Sequence, residues 1–180
     1  GGKFVAPKSG RYFDTINPAT EQKIAEVAEA GEADVEAAVR AAESGFRLWS
    51  KLAPAERGKY IYRIARLVLE KSRELAIVET IDGGKPIKEA RDVDIPLAAA
   101  HFFYHAGWAD KLAYAFPGRA PGSVRPIGVC GQIIPWNFPL LMAAWKLAPA
   151  LACGNAVILK PAETTPLTAM LLAKIVQEAD

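Results

Sequence analysis

The segment from Ile127 onward constrains the fold more than any other part of the chain. Ile127 to Ile134 is an apolar run with two glycines, interrupted only by Gln132, and is long enough for a strand buried on both faces. Pro139 to Cys153 reads as a helix, and Gly154-Asn155 stops it. Ala156 to Leu159 reads as a second buried strand. Thr165 then has the chemistry of an N-cap, with Pro166 at the first position of a helix that runs to the end of the chain. Strand, helix, strand and helix with short connections make the two strands parallel neighbours. Such a unit belongs to an open α/β sheet with helices on its faces, of which two strands are only a part. The sequence therefore reads as one cut off inside a larger fold.

Ahead of this unit the pattern is different. Phe4 to Ile16 suggests short strands around a Lys8-Ser9-Gly10 turn, Asn17-Pro18 breaks the chain, and Lys23 to Val27 alternates as an edge strand does. From Gly31 the period becomes helical, with Val35, Ala38, Val39, Ala42, Phe46 and Trp49 on one stripe and Asp34 near the positive end. A helix opening at Pro54 has Ile61, Ile64, Val68, Leu75 and Val78 inward and is stopped by Gly83-Gly84 and Pro86. The Arg and Lys residues between 57 and 73 read as its wet face. A third helix is expected from Asp94 to about Ala113, and a loop or short hairpin across residues 116–126. The chain thus divides into N-terminal strands and helices (1–113), a short hairpin or loop (114–126) and the strand-helix-strand-helix unit (127–180).

Several function classes are disfavoured. With 22 Lys and Arg against 20 Asp and Glu, and no basic run, there is no reason to expect nucleic acid. Gly128 to Trp145 is apolar enough to be mistaken for a membrane span, but Pro135 and Pro139 break it, and Gln132 and Asn137 would need partners in lipid. Two cysteines, Cys130 and Cys153, in apolar surroundings suit a reduced, cytoplasmic protein, and Gly1 to Gly10 has no signal-peptide core. His101 and His105 have helical i, i+4 spacing, but no third metal ligand is evident, so they and the stripe Phe102, Phe103, Tyr104 and Trp108 read as packing.

Ligands of open α/β sheets bind outside the carboxyl ends of the strands. Two clusters follow those ends: Pro135-Trp136-Asn137 and Lys160-Pro161-Ala162-Glu163. If the strands are adjacent and parallel, both border one crevice. Asn137 can donate two N–H bonds to a developing oxyanion, or can merely cap the helix that starts near Phe138. Lys160 and Glu163 can bond ribose hydroxyls, or can form a solvated ion pair. No G-x-G-x-x-G and no Walker-A sequence occurs.

The segment Pro126-Ile-Gly-Val-Cys-Gly-Gln-Ile-Ile-Pro-Trp-Asn-Phe-Pro-Leu140 closely resembles the aldehyde dehydrogenase superfamily. So do Trp145-Lys-Leu-Ala-Pro-Ala-Leu-Ala-Cys-Gly-Asn155 and Lys160-Pro-Ala-Glu-Thr-Thr-Pro-Leu167, with Phe13-Asp-Thr-Ile-Asn-Pro-Ala19 and Asp82-Gly-Gly-Lys85 in agreement. The resemblance implies an α/β fold, the N-terminal part of an aldehyde-dehydrogenase-like architecture in which helices pack on an incomplete Rossmann-like parallel sheet. It also implies oxidation of a small aldehyde to an acid with NAD or NADP: a cysteine thiolate attacks the carbonyl, hydride leaves to the nicotinamide, and water hydrolyses the thioester. By the same resemblance Asn137 stabilises the oxyanion and Lys146 has a charge-relay role found in some members. Ile133, Ile134, Pro135 and Trp136 line the cofactor, Lys160 and Glu163 bind the adenosine ribose, and Pro161 and Ala162 border the adenosine. Glu163 favours NAD, because its charge repels a 2′-phosphate.

Some members hold a monovalent cation through positions matching Thr15, Ile16 and Asp94; otherwise no metal is expected. The family's nucleophilic cysteine and general-base glutamate match no residue before Asp180, so the chain alone is expected to be inactive. Cys130 and Cys153 match apolar strand and helix-end positions and read as structural. Leu112 to Val124 is shorter than the family's oligomerisation hairpin, which leaves the oligomeric state open. That shortening and Glu-Ala-Asp180 resemble a bacterial branch with two such modules. A non-catalytic module that binds or packs against a partner, and a CoA-acylating aldehyde dehydrogenase, are the alternative readings.

Overall fold

The computed structural model describes residues 2–120 and 122–179; readings that rest on Gly1, Pro121 or Asp180 lie outside the described residues. Strands β1 (Tyr12–Ile16) and β2 (Lys23–Ala28) form an antiparallel pair. Asn17 shapes the turn between them, its side-chain Oδ1 accepting the Ala19 N–H at 2.9 Å. Phe4 to Arg11 is not a strand, contrary to the expectation from its sequence: a turn around Lys8-Ser9, with Gly10 N–H donating to Pro7 O, leaves it no ladder partner.

Helix α1 (Glu32–Trp49) starts where the Asp34 carboxylate accepts the Gly31 and Lys8 N–H groups at 3.0 and 2.9 Å. Its apolar stripe is only partly covered: Val35 and Val39 are exposed, while Ala38, Ala42, Phe46 and Trp49 are half-buried. The helix expected from Pro54 to Gly83 is two, α2 (Pro54–Glu70) and α3 (Ser72–Gly83), broken at Lys71. The break re-aims the chain, so that α3 turns Leu75, Ala76, Glu79 and Asp82 inward. The third helix begins earlier than expected. A short α4 (Ile87–Glu89) and a π-helical turn (Ala90–Asp94) lead into α5 (Ile95–Trp108). The wide turn directly precedes Pro96, whose ring and missing N–H a straight α-helix would not accommodate. A short α6 (Leu112–Ala115) and irregular turns then reach Gly128.

The last unit is β3 (Val129–Ile133), α7 (Pro139–Ala152), β4 (Ala156–Lys160) and α8 (Leu167–Glu178). β3 and β4 are parallel neighbours, with Val129 opposite Ala156 and Ile133 opposite Lys160. They are not buried on both faces. Ile127 is 90% and Ile133 72% exposed, because among the described residues the pair has no third strand and packs mainly against α1 and α7. The hydrophobic core lies in the helical layer, where Ile61, Val68, Leu75, Ile95, Phe102, Leu140, Leu172 and Ile175 meet. Small residues on α7, including Ala143, Ala144 and Ala148, let α5 pack closely against it. Phe102 is core as expected, whereas Tyr104 faces solvent.

The C-terminus of α7 is closed by several donors. Gly154, at φ +86°, turns the chain, and Asn155 N–H and Gly154 N–H donate back to Ala150 O and Leu151 O. The Trp49 indole donates to Leu151 O at 3.0 Å, and Arg57 Nε to Ala152 O at 3.3 Å. Arg57 is therefore buried rather than on a wet helix face. The Asn155 side chain accepts the Ile127 and Gly128 N–H groups at 2.7 and 3.1 Å and donates to Ala150 O, joining the start of β3 to the end of α7. Asn155→Ala is expected to lower unfolding free energy by about 2–4 kcal/mol, since it leaves the Ile127 and Gly128 N–H groups without their acceptor and removes one of the two donors on Ala150 O. Urea unfolding midpoints within error of wild type would contradict this.

Candidate functional site

The ends of β3 and β4 lie side by side. Ile133 pairs with Lys160, and the next residue, Ile134, donates its N–H to Lys160 O at 3.1 Å. The loops Pro135–Phe138 and Pro161–Pro166 therefore leave the sheet from adjacent points. Trp136 and Glu163 line one cleft of about 600 Å³ with Phe13, Thr15, Asp82 and Thr165. Of the residues expected to line a cofactor, only Trp136 and Glu163 reach this cleft; Ile133 and Lys160 are exposed at the strand ends, Ile134 and Ala162 are buried, and Pro161 is half-buried.

Asn137 is exposed and borders a second hollow with Trp136, Glu79, Lys85 and Pro139. Its side chain does not cap α7, so the capping alternative fails geometrically. Pro139 at the first helical position has no N–H, and the first available donor, Leu140 N–H, goes to Glu79 Oε2 at 3.3 Å. The expected cap on α8 differs in the same way. The helix begins at Leu167, the buried Thr165 hydroxyl has no partner, and Leu167 N–H donates to Asp82 Oδ2 at 2.9 Å. Asp82 also accepts the Thr15 hydroxyl at 2.8 Å. Sequence reading missed both carboxylates. Their three-residue spacing on an inward helix face, just before Gly83-Gly84, was the available signal.

Glu79 is 1% exposed, and its other oxygen lies 3.8 Å from Lys85 Nζ. Lys85 also pairs with buried Asp94 and sits 4.0 Å from the centre of the Phe138 ring. Burial outweighs the Lys85 charge and the Leu140 N–H and pushes the Glu79 carboxyl up to about 7. Burial likewise raises Asp82, against the opposing pull of Leu167 N–H and the Thr15 hydroxyl.

Of the residues weighed for a cation, Thr15 bonds Asp82 and Asp94 bonds Lys85, so the Asp94 carboxylate already faces an ammonium; Ile16 is exposed at the end of β1. Lys160 and Glu163 form an exposed ion pair at 2.7 Å, which holds the Glu163 carboxyl below its ordinary range. Lys146 is half-buried about two turns into α7 and forms no salt bridge among the described residues; its backbone carbonyl accepts the Gln132 amide at 2.8 Å. His101 packs edge-on against Trp145 and stacks on His105, with ring centres 5.4 and 6.2 Å apart. Cys153 closes α7, and burial raises its thiol despite nearby Arg57.

Comparison with known proteins agrees with this architecture. The sequence pattern of the "Aldehyde dehydrogenase family" matches residues 4–180. The chain is 50% identical to "Aldehyde dehydrogenase, mitochondrial" of Leishmania tarentolae over 99% of its own length and 37% of that protein's. It is 46% identical to "Retinal dehydrogenase 2" of Homo sapiens, over 96% of this chain and 35% of that one. Among solved structures it is similar to the NAD+ complex of an aldehyde dehydrogenase from Bacillus cereus, with a TM-score of 0.91 and 45% identity over 98% of this chain and 38% of that one. An indole-3-acetaldehyde dehydrogenase with NAD+ gives a TM-score of 0.92 and 42% identity, covering 99% of this chain and 37% of that one. The chain thus spans little more than a third of the length of these proteins. Among the described residues no helix is long and apolar enough to cross a membrane.

The raised Glu79 carboxyl makes stability depend on pH. In the unfolded chain the group ionises near 4.5, and in the fold near 7, so folding takes up a proton between those values. Stability is therefore expected to fall as pH rises through this window, by up to about 3 kcal/mol. Glu79→Gln, which does not titrate, should flatten that slope in urea unfolding measured from pH 5 to 8. Equal slopes for the two proteins would contradict the assignment.

Proposed function

The chain belongs to the aldehyde dehydrogenase family, and on that basis we propose that it forms the nucleotide-binding and oxyanion-stabilising part of an enzyme oxidising a small aldehyde to the acid with NAD or NADP. The observation that carries this reading is the adjacency of the two strand ends: Ile133 opposite Lys160, with Trp136 and Glu163 on one cleft. The donor set suits a nucleotide. Exposed Ile133 and Trp136 offer apolar surface beside a lysine and a carboxylate that can turn from each other to ribose hydroxyls. Ile134 and Pro135 complete that lining, and Pro161 and Ala162 border the adenosine. NAD is favoured over NADP, because the Glu163 charge repels a 2′-phosphate. When bound, the nicotinamide accepts a hydride.

The residues of this chain do the remaining work by position and charge. Asn137, free of any capping duty, directs its amide N–H groups toward the oxyanion that forms as the aldehyde carbon is attacked. Lys146 is a candidate for relaying charge from α7. Neither cysteine suits the role of nucleophile. Cys153 sits at the far end of α7 from Asn137, about 20 Å along the helix axis, with its thiol raised by burial. Cys130 lies within β3, before the strand end. We therefore assign the attacking thiolate to a cysteine outside this chain, so that the chain alone is inactive. The free thiols suit a reducing compartment such as the cytoplasm.

Titrating NAD against the chain, followed by tryptophan fluorescence with a Trp136→Phe variant to identify the Trp136 signal, tests the reading directly. Saturable binding is expected, and Lys160→Ala should weaken it about tenfold, as loss of a charged hydrogen bond does. Absence of binding, or an unchanged affinity in the variant, would overturn the ribose assignment. In an active enzyme containing this chain, Asn137→Ala should lower kcat by roughly 10²–10³-fold. Unchanged turnover by a folded variant would remove Asn137 from the mechanism.

A further inference from the structure

We propose that Glu79 and Asp82, one turn apart on α3, are positioning residues that separately fix the two strand-end loops of the cleft, Glu79 the Pro135–Phe138 loop and Asp82 the Pro161–Pro166 loop. Their importance for the cofactor rests on the nucleotide reading above. Each loop is irregular and is anchored on one side by the β3–β4 ladder, which ends at Ile134 N–H and Lys160 O. On the other side it ends where a helix begins. The first free N–H groups of those helices, Leu140 and Leu167, both donate to α3: one to Glu79 Oε2 at 3.3 Å, the other to Asp82 Oδ2 at 2.9 Å.

The second oxygen of each carboxylate extends the hold. Asp82 Oδ1 takes the Thr15 hydroxyl of β1. Glu79 Oε1 faces Lys85, which lies over the Phe138 ring next to Asn137. The end of α3 also fits close to the second loop, since a side chain at Gly83 would meet Thr165 at 3.4 Å. Packing alone does not require two carboxylates here. Burying them is costly, and their acceptor oxygens offset that cost by ending two helices that otherwise lack side-chain caps, helped at Glu79 by the Lys85 charge. Because each carboxylate serves one helix start, the loops are held independently. Glu79 sets the loop carrying Asn137, and Asp82 sets the one carrying Glu163.

The test is nitrogen-15 NMR with amide exchange on the whole chain. Glu79→Ala should speed exchange of the Leu140 amide at least about tenfold and move the Trp136 indole and Asn137 side-chain signals, leaving residues 163–168 unchanged. Asp82→Ala should give the mirror result at Leu167. Glu79→Gln and Asp82→Asn, which keep an acceptor, should restore most of the protection. A merely structural loss would disturb both loops together, and that result, or no change at either amide, overturns the proposal. If the alanine variants do not fold, the amide-for-acid variants carry the test: a neutral acceptor weakens each hydrogen bond, and shifts confined to its own loop are expected, whereas shifts shared equally by both loops overturn it. Adding NAD to the wild-type chain separates the two readings. Loop-specific effects without any NAD-induced shift uphold the positioning and reject the nucleotide assignment.

Discussion

Helix α7 is buried along most of its length, so the peptide groups at its two ends must find partners within the protein, and much of the fold follows from how they do. At its start Glu79, from across the core, accepts Leu140 N–H. At its end the Ala150, Leu151 and Ala152 carbonyls draw in the turn at Gly154, the Trp49 indole, the Arg57 guanidinium and the Asn155 amide. These donors come from α1, α2 and the start of β4. Satisfying one helix therefore fixes the arrangement of several others.

The same requirement shapes the cleft. A parallel pair brings its strand ends together but leaves the loops beyond them without regular hydrogen bonding. Those loops become definite because each runs into a helix whose start is tied to α3. The strand ends thus combine exposed apolar surface at Ile133 and Trp136 with a lysine–glutamate pair that solvent keeps adjustable. Beside Asn137, at the second hollow, Glu79 and Lys85 belong to a buried group with Asp94, in which two carboxyls compete for one ammonium. Burial of charge explains both the raised Glu79 carboxyl and the low exposure of Lys85. It also explains why Asp94 faces an ammonium and not an open cage of oxygens.

The strand ends that frame the candidate site were legible from local pattern. An apolar run followed by Pro-Trp-Asn, and a second followed by Lys-Pro-Ala-Glu, pointed to strand ends, and the parallel pairing brings these clusters to one side. The helix stop at Gly154-Asn155 was equally readable, because only a residue tolerant of positive φ closes a helix that way. The failures share a cause. The break at Lys71, the buried Arg57, the uncapped Thr165 and the only partly covered stripe of α1 all depend on what lies across the chain, which residue type and period do not encode.

By itself, then, the amino-acid order determined the succession of strands and helices in the last third of the chain and the residues at the strand ends, because periodicity and turn chemistry are properties of neighbours in sequence. Only the tertiary structure decided which groups end the helices: Glu79 and Asp82 lie about 60 and 85 residues from the N–H groups they accept. A peptide group takes whichever acceptor the packing brings within about 3 Å, and that distance is a property of the fold and not of the sequence.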